Sequence, residues 1–314
     1  MRFNKLVATA LGAAAMMVAG HAKADAVGLE LMLLVDVSGS DHYEAGQVSQ
    51  GAAACGVGLL FDLAGNDSYR GSRFVQGFGG VMGLGALSDV AGNDTYWAGG
   101  VHSHAPLLPE SFQSLSQGFG FGMRPDASGG VGILADHAGN DVYMAEVFGQ
   151  GASYWFALGM LADSAGNDSY QLFQYGQGAG IHLSPAILFD RAGADAYSCL
   201  NGVAQGSGHD WGVGMLWDAA GNDAYQGSGM SQGGVNANGM GLLLDETGND
   251  SYSGWNEKNQ GDSFFSRGTF GLGVLLDLDG KDRYSHGGKD GATWTRGSVG
   301  VGLDWEPPKS GSAP

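Results

Sequence analysis

The chain has 314 residues, of which 59 are glycine and 32 are aspartate or glutamate, against only 14 lysines and arginines. The formal net charge of −18 at pH 7 argues against nucleic acid as a partner, because nucleic acid is bound mainly through basic side chains. After the N-terminal segment, no stretch approaches the roughly 20 apolar residues of a membrane-spanning helix, so no transmembrane segment is expected in the mature chain.

Residues 1–24 have the layout of a cleavable secretory signal. Arg2 and Lys5 precede an apolar run of about 15 residues, and Ala22-Lys23-Ala24 supplies small residues for cleavage. We therefore expect the mature chain to begin near Asp25. An exported location follows, either periplasmic, at the cell surface or extracellular.

The rest of the chain is organised by one frame, Leu-x-Asp-x-x-Gly-x-Asp-x-Tyr, which occurs nine times. Most copies follow one another at a nearly constant spacing of about 27 residues between their first aspartates, and a fixed period of this size indicates a structural repeat. These first aspartates are Asp36, Asp62, Asp89, Asp136, Asp163, Asp190, Asp218, Asp245 and Asp277.

A short strand is predicted to end at each first aspartate. In all nine copies a leucine stands two residues before it, and in eight of the nine Gly or Ala stands four residues before it. Positions two apart lie on one face of a strand, so these residues share a face. The apolar residues between them, such as Phe61 and Trp217, take the opposite face.

Two further features of the repeat predict how its strands are joined and stacked. Gly-Asn, as in Gly65-Asn66, predicts a tight turn, because both residues tolerate a positive φ. Gln-Gly occurs in eight places, and glutamines at one repeated position can form a ladder of hydrogen-bonded amides. These glutamines are Gln50, Gln76, Gln117, Gln150, Gln177, Gln205, Gln232 and Gln260.

A unit of about 27 residues cannot bury an apolar face alone, whereas stacked units bury a continuous core. The sequence therefore predicts an all-β protein over residues 25–305, a parallel β-solenoid (β-helix) of about nine to ten coils with ~27 residues per coil. By composition, residues 306–314 are predicted to be a disordered tail.

The period is interrupted once, between the third and fourth copies, where about 20 residues are inserted within residues 97–130. Insertions in solenoids form loops on one face, and such loops are common binding sites. His102 and His104, with Glu110 nearby, could ligate a metal, although a lone His-x-His pair also occurs in plain surface loops.

Cys55 and Cys199 lie in different copies of the repeat. With coils about 4.8 Å apart, they would be on the order of 20 Å from each other, beyond the roughly 7 Å between Cα atoms that a disulfide spans. Two free, buried thiols are expected.

Asp36, Ser38 and Ser40 resemble the Asp-x-Ser-x-Ser motif of von Willebrand factor A domains, in which these side chains supply oxygen ligands to a divalent ion. The resemblance covers only ten to fifteen residues and implies a metal-dependent adhesion module with a doubly wound α/β fold. The same residues also fit the repeat frame. Repeat spacing therefore favours a divergent first coil.

The segment Ala64-Gly65-Asn66-Asp67-Ser68-Tyr69 is similar to the second half of the calcium-binding repeat of RTX toxins and proteases. In that repeat, glycine carbonyls and aspartate carboxylates of stacked turns hold calcium. The resemblance is confined to the turn, because the period here is about 27 residues instead of 9. The whole chain also resembles bacterial exported Gly-Asn-Asp repeat proteins, for which no activity is implied.

A physical argument for metal is independent of that resemblance. Stacked coils place like aspartates about 4.8 Å apart, where two carboxylates repel by roughly 1 kcal/mol in water and about 3 to 4 kcal/mol at an effective dielectric constant of 20. A hard cation such as calcium would replace this repulsion by coordination. The expected ligands are Asp62, Asp67, Asp89, Asp94, Asp136, Asp141, Asp163, Asp168, Asp218, Asp223, Asp245 and Asp250. Alternatively, each aspartate accepts hydrogen bonds from turn N–H groups and its charge faces solvent.

An exported structural, adhesive or binding role in the cell envelope or extracellular space is the function that the sequence favours. Glycans or other envelope proteins would be its partners. An enzyme is not favoured, because no set of nucleophile, base and orienting residue can be assembled from the sequence. The alternative is a carbohydrate-binding or polysaccharide-active β-helix. The tryptophans that could stack on sugars are Trp211, Trp217 and Trp255. An isolated basic residue among acidic side chains in a groove would also indicate this function, and the candidates are Arg73, Arg124, Arg191 and Arg267.

Overall fold

The computed structural model describes residues 30–305, and the side chains from residue 31 onward. The expected signal peptide 1–24, the start at Asp25 and the tail 306–314 lie outside the described residues. Within residues 30–305 the structure consists of 28 β-strands joined by turns and loops. None of the described residues forms a helix long and apolar enough to cross a membrane.

The strands form three long sheets and one hairpin. The first sheet contains β1 (Glu30–Asp36), β3 (Gly56–Asp62), β5 (Gly83–Asp89), β10 (Val131–Asp136), β13 (Leu158–Asp163), β16 (Pro185–Asp190), β19 (Val213–Asp218), β22 (Met240–Asp245), β25 (Leu272–Asp277), β28 (Gly300–Asp304) and β27 (Thr293–Arg296). The second contains β2 (His42–Ser49), β4 (Ser68–Val75), β6 (Thr95–Ala98), β11 (Val142–Val147), β14 (Ser169–Gln174), β17 (Ala196–Cys199), β20 (Ala224–Gly227), β23 (Ser251–Gly254) and β26 (Arg283–Tyr284). The third contains β9 (Gly120–Phe121), β12 (Ser153–Tyr154), β15 (Gly180–Ile181), β18 (Gly208–His209), β21 (Val235–Asn236) and β24 (Ser263–Phe264), and the hairpin is β7 (Ser103–His104) with β8 (Leu108–Phe112).

Each of the nine copies of the frame contributes one strand to the first sheet and one to the second, and the third to eighth copies also contribute one to the third sheet. Consecutive coils pair in parallel. In the first sheet Leu161 lies opposite Leu188, the same motif position one coil further on, and Asp163 lies opposite Asp190. The protein is therefore a parallel β-solenoid of about ten turns, as predicted. The first copy of the frame is one of these turns, because Asp36 pairs in register with Asp62.

The predicted faces of the first sheet are confirmed. From the second to the ninth copy, the motif leucines are at most 1% exposed and pack with the motif tyrosines in one continuous core cluster. On the opposite face, Phe61 is 38% exposed. A second cluster near the third sheet is built from Phe78, Phe119, Ile181 and their neighbours.

The predicted positive φ at Gly-Asn is wrong. Positive φ angles do not occur at Gly92 or Asn93, nor at the other five Gly-Asn pairs. They occur at Gly39 and Gly280, in the two copies where Ser40 and Lys281 replace the asparagine. Glycine is needed there because the turns of adjacent coils stack closely. A Cβ atom on Gly92 would lie 1.9 Å from the carbonyl oxygen of Gly65, and one on Gly139 would lie 1.7 Å from that of Gly92.

The positive φ angles are found instead at Gln-Gly, where all eight glutamines have φ between 50° and 57°. The predicted ladder of glutamine amides is also wrong. Each side chain instead bonds to the backbone, as when Gln150 Nε2 donates to the carbonyl oxygens of Tyr143 and Gln171, both at 3.0 Å. These bonds join two coils and stabilise the positive φ angle of the glutamine at each Gln-Gly.

A ladder of amides does exist, but on the asparagines of Gly-Asn. Asn140 Nδ2 donates to Asn93 Oδ1 at 3.0 Å, and Asn167 Nδ2 donates to Asn140 Oδ1 at 3.0 Å. The asparagines of this ladder are exposed. The ladder is broken in the sixth copy, where Ala194 offers only its backbone N–H to Asn167.

The inserted residues form two separate excursions. The first follows the motif tyrosine of the third copy, because the stretch 96–117 is longer than the equivalent stretch 69–76 of the second copy. The second follows Gln117, because the stretch 117–136 is longer than the equivalent stretch 76–89. The insertion expected within residues 97–130 is therefore divided between two places in one coil.

The longer excursion contains the β7–β8 hairpin. Glu146 holds this hairpin by accepting the backbone N–H groups of Gly100 at 3.0 Å and Phe112 at 2.8 Å. The shorter excursion carries Arg124.

The last coil is covered by residues that occupy positions equivalent to those of a further repeat. Gly302 occupies the position of the motif leucine, and the indole of Trp294 fills the space that its missing side chain leaves. Trp294 also packs on Tyr284, with ring centroids 5.1 Å apart. Asp290 Oδ1 accepts the backbone N–H of Asp282 at 2.8 Å, in the place of a next second aspartate.

Cys55 and Cys199 are both free thiols, as expected. Cys199 is buried, and burial raises the pKa of its thiol to about 11. Cys55 is only half-buried, so the expectation of burial holds for one of the two.

Candidate cation site in two aspartate columns

The motif aspartates form two columns that run along the solenoid, one of first aspartates at the ends of the first-sheet strands and one of second aspartates beyond the Gly-Asn turn. Both are buried from the second to the ninth copy. Asp163 and Asp190 are 0% exposed and Asp168 is 2% exposed. The alternative in which these charges face solvent is therefore wrong.

Each first aspartate from Asp62 onward is held by two donors. Its Oδ2 accepts the hydroxyl of the motif tyrosine from the preceding coil, and these nine bonds, the last of them to Asp304, measure 2.6–2.9 Å. In six of the eight first aspartates from Asp62 to Asp277, Oδ1 accepts a backbone N–H two residues further on, as when Ala165 donates to Asp163 at 3.2 Å. This is the Asx turn expected from the sequence. The Oδ1 atoms of Asp245 and Asp277 are buried without a hydrogen-bond partner. The tyrosine rings stack at 4.7–4.9 Å, which fixes the spacing of their hydroxyl groups.

Each second aspartate from Asp67 to Asp282 has one bonded and one unbonded oxygen. Its Oδ1 accepts the backbone N–H of the second aspartate of the preceding coil, as when Asp141 donates to Asp168 at 2.6 Å. Its Oδ2 is buried without a hydrogen-bond partner in eight copies. These eight residues are Asp67, Asp94, Asp141, Asp168, Asp195, Asp223, Asp250 and Asp282. A buried acceptor without a hydrogen-bond partner lowers the stability of the fold, because it has lost its hydration. A row of such acceptors therefore indicates that another group, such as a proton or a cation, compensates for the lost hydration.

The two columns meet between adjacent coils. A carboxylate oxygen of Asp136, of Asp141 and of Asp163 all lie within 4.8 Å of one another, and the same grouping recurs in other coils. Because Asp163 also belongs to the next group, with Asp168 and Asp190, the groups form a continuous row. These clusters of buried carboxylates can in principle hold metal ions.

The environment of the columns disfavours the ionised carboxylates. Burial raises the pKa of Asp168 to about 8, and the charge of Asp163 adds to the effect. Burial likewise raises the pKa of Asp94 to about 8 and that of Asp141 to about 6. Among the first aspartates, burial and then the charge of Asp141 raise the pKa of Asp136 to about 9.

No basic side chain within residues 30–305 pairs with this charge. The ion pairs of that part of the chain involve none of the sixteen motif aspartates of the second to ninth copies. Their negative charge is therefore balanced only by protons or by cations from solvent.

All twelve aspartates expected as ligands lie in these columns. Sequence reasoning missed Asp190, Asp195, Asp277 and Asp282, which are also buried. They belong to two copies without Gly-Asn, in which Ala194 and Lys281 stand at the asparagine position. The asparagine is not part of the aspartate columns, because its side chain is exposed and bonds to other asparagines. The aspartate frame alone would have found all four.

Two of the insertion residues that could ligate a metal, His104 and Glu110, lie in different surroundings. His104 is buried and packs edge-on against Phe148, with ring centroids 5.5 Å apart, and Gln113 Nε2 lies 3.4 Å from its Nδ1. Glu110 is exposed and lines a groove of about 660 Å³ on the second sheet. These contacts give His104 a packing role.

A polar cluster that the sequence did not indicate lies at the corner next to the third sheet. His182, His209 and Asp210 bring their side-chain nitrogen and oxygen atoms within 4.8 Å of one another. Arg267 forms an ion pair with Asp210. These residues line or adjoin a pocket of about 250 Å³.

Comparisons of the chain with models of protein families, with curated proteins and with solved structures found no match.

Proposed function

We propose that this chain is an exported structural, adhesive or binding protein of the cell envelope or extracellular space, whose β-solenoid is stabilised by calcium along the aspartate columns. The observation that carries the proposal is the row of eight buried carboxylate oxygens without hydrogen-bond partners.

Calcium suits these columns because it is a hard cation that binds six to eight oxygen ligands in flexible geometry. Each group offers carboxylates from two adjacent coils, such as Asp163, Asp168 and Asp190. A cation there would offset the repulsion that burial strengthens and would link one coil to the next. The likeness of the turns to RTX repeats supports the same ion.

The exported role is supported by the N-terminal sequence and by the type of fold. A stack of coils in which each unit contacts its neighbours offers a long, regular surface, as binding and scaffolding solenoids do. Extracellular calcium modules bind their ion with dissociation constants of about 10⁻⁴ to 10⁻³ M. Weak sites of this kind would fill outside the cytoplasm.

The test is thermal unfolding of chelator-treated protein with and without calcium. Saturating calcium at 100 times its dissociation constant adds about 2.7 kcal/mol per independent site. We therefore expect the melting temperature to rise by many degrees and to fall again with a chelator. Sodium chloride at matched ionic strength controls for screening.

Asp168→Asn makes the test specific to the column. The amide keeps an oxygen for the N–H of Asp141, so in chelator the variant should be at least as stable as the parent, whereas its gain from calcium should shrink. Asp126→Asn, which removes an exposed acid, is the matched control. No rise in melting temperature with calcium, or an equal gain in Asp168→Asn, would contradict the proposal.

A further inference from the structure

The pocket next to the third sheet is built on a stack of tight turns. Each of four consecutive coils has two successive residues with positive φ there, and these pairs are Trp155-Phe156, His182-Leu183, Asp210-Trp211 and Ala237-Asn238. Bulky side chains rarely adopt this conformation, because Cβ meets the backbone. Such backbone strain is concentrated at functional sites. Here it places the side chains of successive coils side by side around one pocket.

Asp210 is the centre of the pocket's polar network. Its carboxylate is buried, its Oδ2 lies 2.9 Å from His182 Nδ1, and it also forms the ion pair with Arg267. His209 Nε2 lies 3.7 Å from the same oxygen, and its Nδ1 is 2.7 Å from Asn236 Oδ1. The network holds these side chains in fixed orientations.

The fold also brings two arginines from distant parts of the chain to this pocket. Arg124 comes from the shorter excursion of the third copy, and Arg267 comes from a turn several coils later. The guanidinium of Arg124 lies over the Trp155 ring, 5.3 Å from its centroid, and Nη1 is 3.5 Å from His182 Nε2. Arg267 has a side chain that is 57% exposed. With five N–H donors, its guanidinium keeps donors for a ligand after pairing with Asp210.

The charge of the pocket is opposite to that of the chain. Its lining contains the cations of Arg124 and Arg267 and one carboxylate, that of Asp210. Burial lowers the pKa of both His182 and His209, so these rings are neutral at pH 7. A pocket with a net positive charge, in a chain of net charge −18, attracts an anion.

A metal ion is the other ligand that His182, His209 and Asp210 could hold. The two guanidinium groups oppose it, because they would repel a divalent cation and because Arg267 already bonds to the carboxylate. An organic anion uses the same arginines as donors. Trp211, which is 61% exposed on the pocket wall, offers it an aromatic face.

We propose that this pocket binds an acidic saccharide, with carboxylates of hexuronate units on Arg124 and Arg267 and a sugar ring against Trp211. Guanidinium groups bind carboxylates through short, charge-assisted hydrogen bonds. Indole faces are amphipathic surfaces suited to the apolar face of a sugar. The inference is independent of calcium in the aspartate columns, since none of those aspartates lines the pocket.

The test is calorimetric titration of the full chain with an oligosaccharide of 1,4-linked galacturonic acid and with its methyl ester, which keeps the rings but lacks the charge. We expect the acid to bind at least about tenfold more tightly than the ester, the effect of a hydrogen bond to a charged group. Titrations are repeated in a chelator, so that bridging by calcium cannot account for binding.

Arg124→Gln and Trp211→Ala are the informative variants. Arg124→Gln should lose about tenfold or more in affinity for the acid and much less for the ester, whereas Trp211→Ala should weaken both. Arg283→Gln and Trp305→Ala, exposed residues outside the pocket, are the matched controls and should bind normally. Melting temperatures of all four variants verify folding.

Three outcomes would overturn the inference. They are no binding of the acid, equal affinity for acid and ester, and equal loss of affinity in the pocket variants and their controls. A change in melting temperature with calcium, present or absent, leaves these outcomes unaffected, so the two proposals fail separately.

Discussion

The motif tyrosine is the residue that connects the apolar core with the aspartate columns. Its ring stacks on the tyrosines above and below in the buried leucine-tyrosine cluster, as Tyr170 does with Tyr143 and Tyr197. Its hydroxyl reaches out of that cluster to a carboxylate of the next coil, since Tyr170 donates to Asp190 at 2.6 Å. Distances of this length are typical of charge-assisted O–H···O⁻ bonds.

Tyr170→Phe should therefore destabilise the protein although the ring remains. The buried Oδ2 of Asp190 loses its donor, and a hydrogen bond to a charged group contributes about 1.5–3 kcal/mol. Denaturant unfolding measures the change in the free energy of unfolding. Tyr154→Phe, a half-buried tyrosine of the third sheet, is the control, and an equally small change in both variants would show that the hydroxyl column contributes little.

At the scale of the element, the Gly-Asn turn is shaped by its neighbours in the stack. The backbones of successive turns lie so close that a Cβ on Gly139 would overlap the carbonyl oxygen of Gly92. The exposed asparagines and the buried second aspartates then bond from turn to turn on opposite sides of the same backbone. Glycine is therefore needed in this turn for close stacking on the adjacent turns, and not for a positive φ angle, since no Gly-Asn pair has one.

Gly139→Ala should be destabilising for this reason. Overfilling a packed site costs about 1–3 kcal/mol, and here the clashing atom belongs to backbone that is hydrogen-bonded on both sides. Thermal unfolding measures the loss. Gly46→Ala is the matched control, because no atom outside the neighbouring residues lies within 4 Å of its added Cβ. If both variants melt at the same temperature, close stacking is not what selects glycine.

At the scale of the whole molecule, the columns couple the stability of the stack to pH. The folded pKa values of Asp94 and Asp168 are raised to about 8, and that of Asp136 to about 9. The unfolded value is about 3.9. The folded state therefore binds these protons more tightly, and the stabilisation present below about pH 4 is lost as the pH rises through the folded values.

In a chelator, we expect the melting temperature to fall between pH 5 and pH 9, a range taken from those shifts. Calcium should reduce the fall, because it stabilises the ionised carboxylates that the rising pH produces. Scanning calorimetry across this range, with chelator and with calcium, makes the measurement. A melting temperature that rises with pH in the chelator would mean that other groups govern the stability of the stack.

The repeat also predicts how the molecule tolerates shortening. Deleting residues 164–190 removes one whole period and joins Asp163 to the turn that follows Asp190, so the neighbouring coils can pair in the same register. Because each coil contacts only its neighbours, we expect a folded, β-rich protein by circular dichroism. Deleting only the first half of that stretch places turns against strands and should cause aggregation. Equal tolerance of both deletions would argue against independent stacking of coils.

Much of this molecule follows from the sequence alone. The spacing of the first aspartates, with a leucine two residues before each, determined the strands, their period and their buried face, because a strand repeats every two residues and a solenoid every coil. The same frame located the aspartate columns without any structure. These features are local or periodic, so a linear pattern contains them.

Only the tertiary structure decided how the coils bond to each other. In the structure the second aspartates are buried and their Oδ2 atoms have no hydrogen-bond partners. The ladder of amides is formed by asparagines and not by glutamines, and Gly92 is needed for close stacking of adjacent turns. The fold also brings Arg124 and Arg267 from distant coils into one pocket. The physical reason is that these properties depend on distances between coils, which are set by the packing of the tyrosine and leucine columns and not by neighbours in the chain.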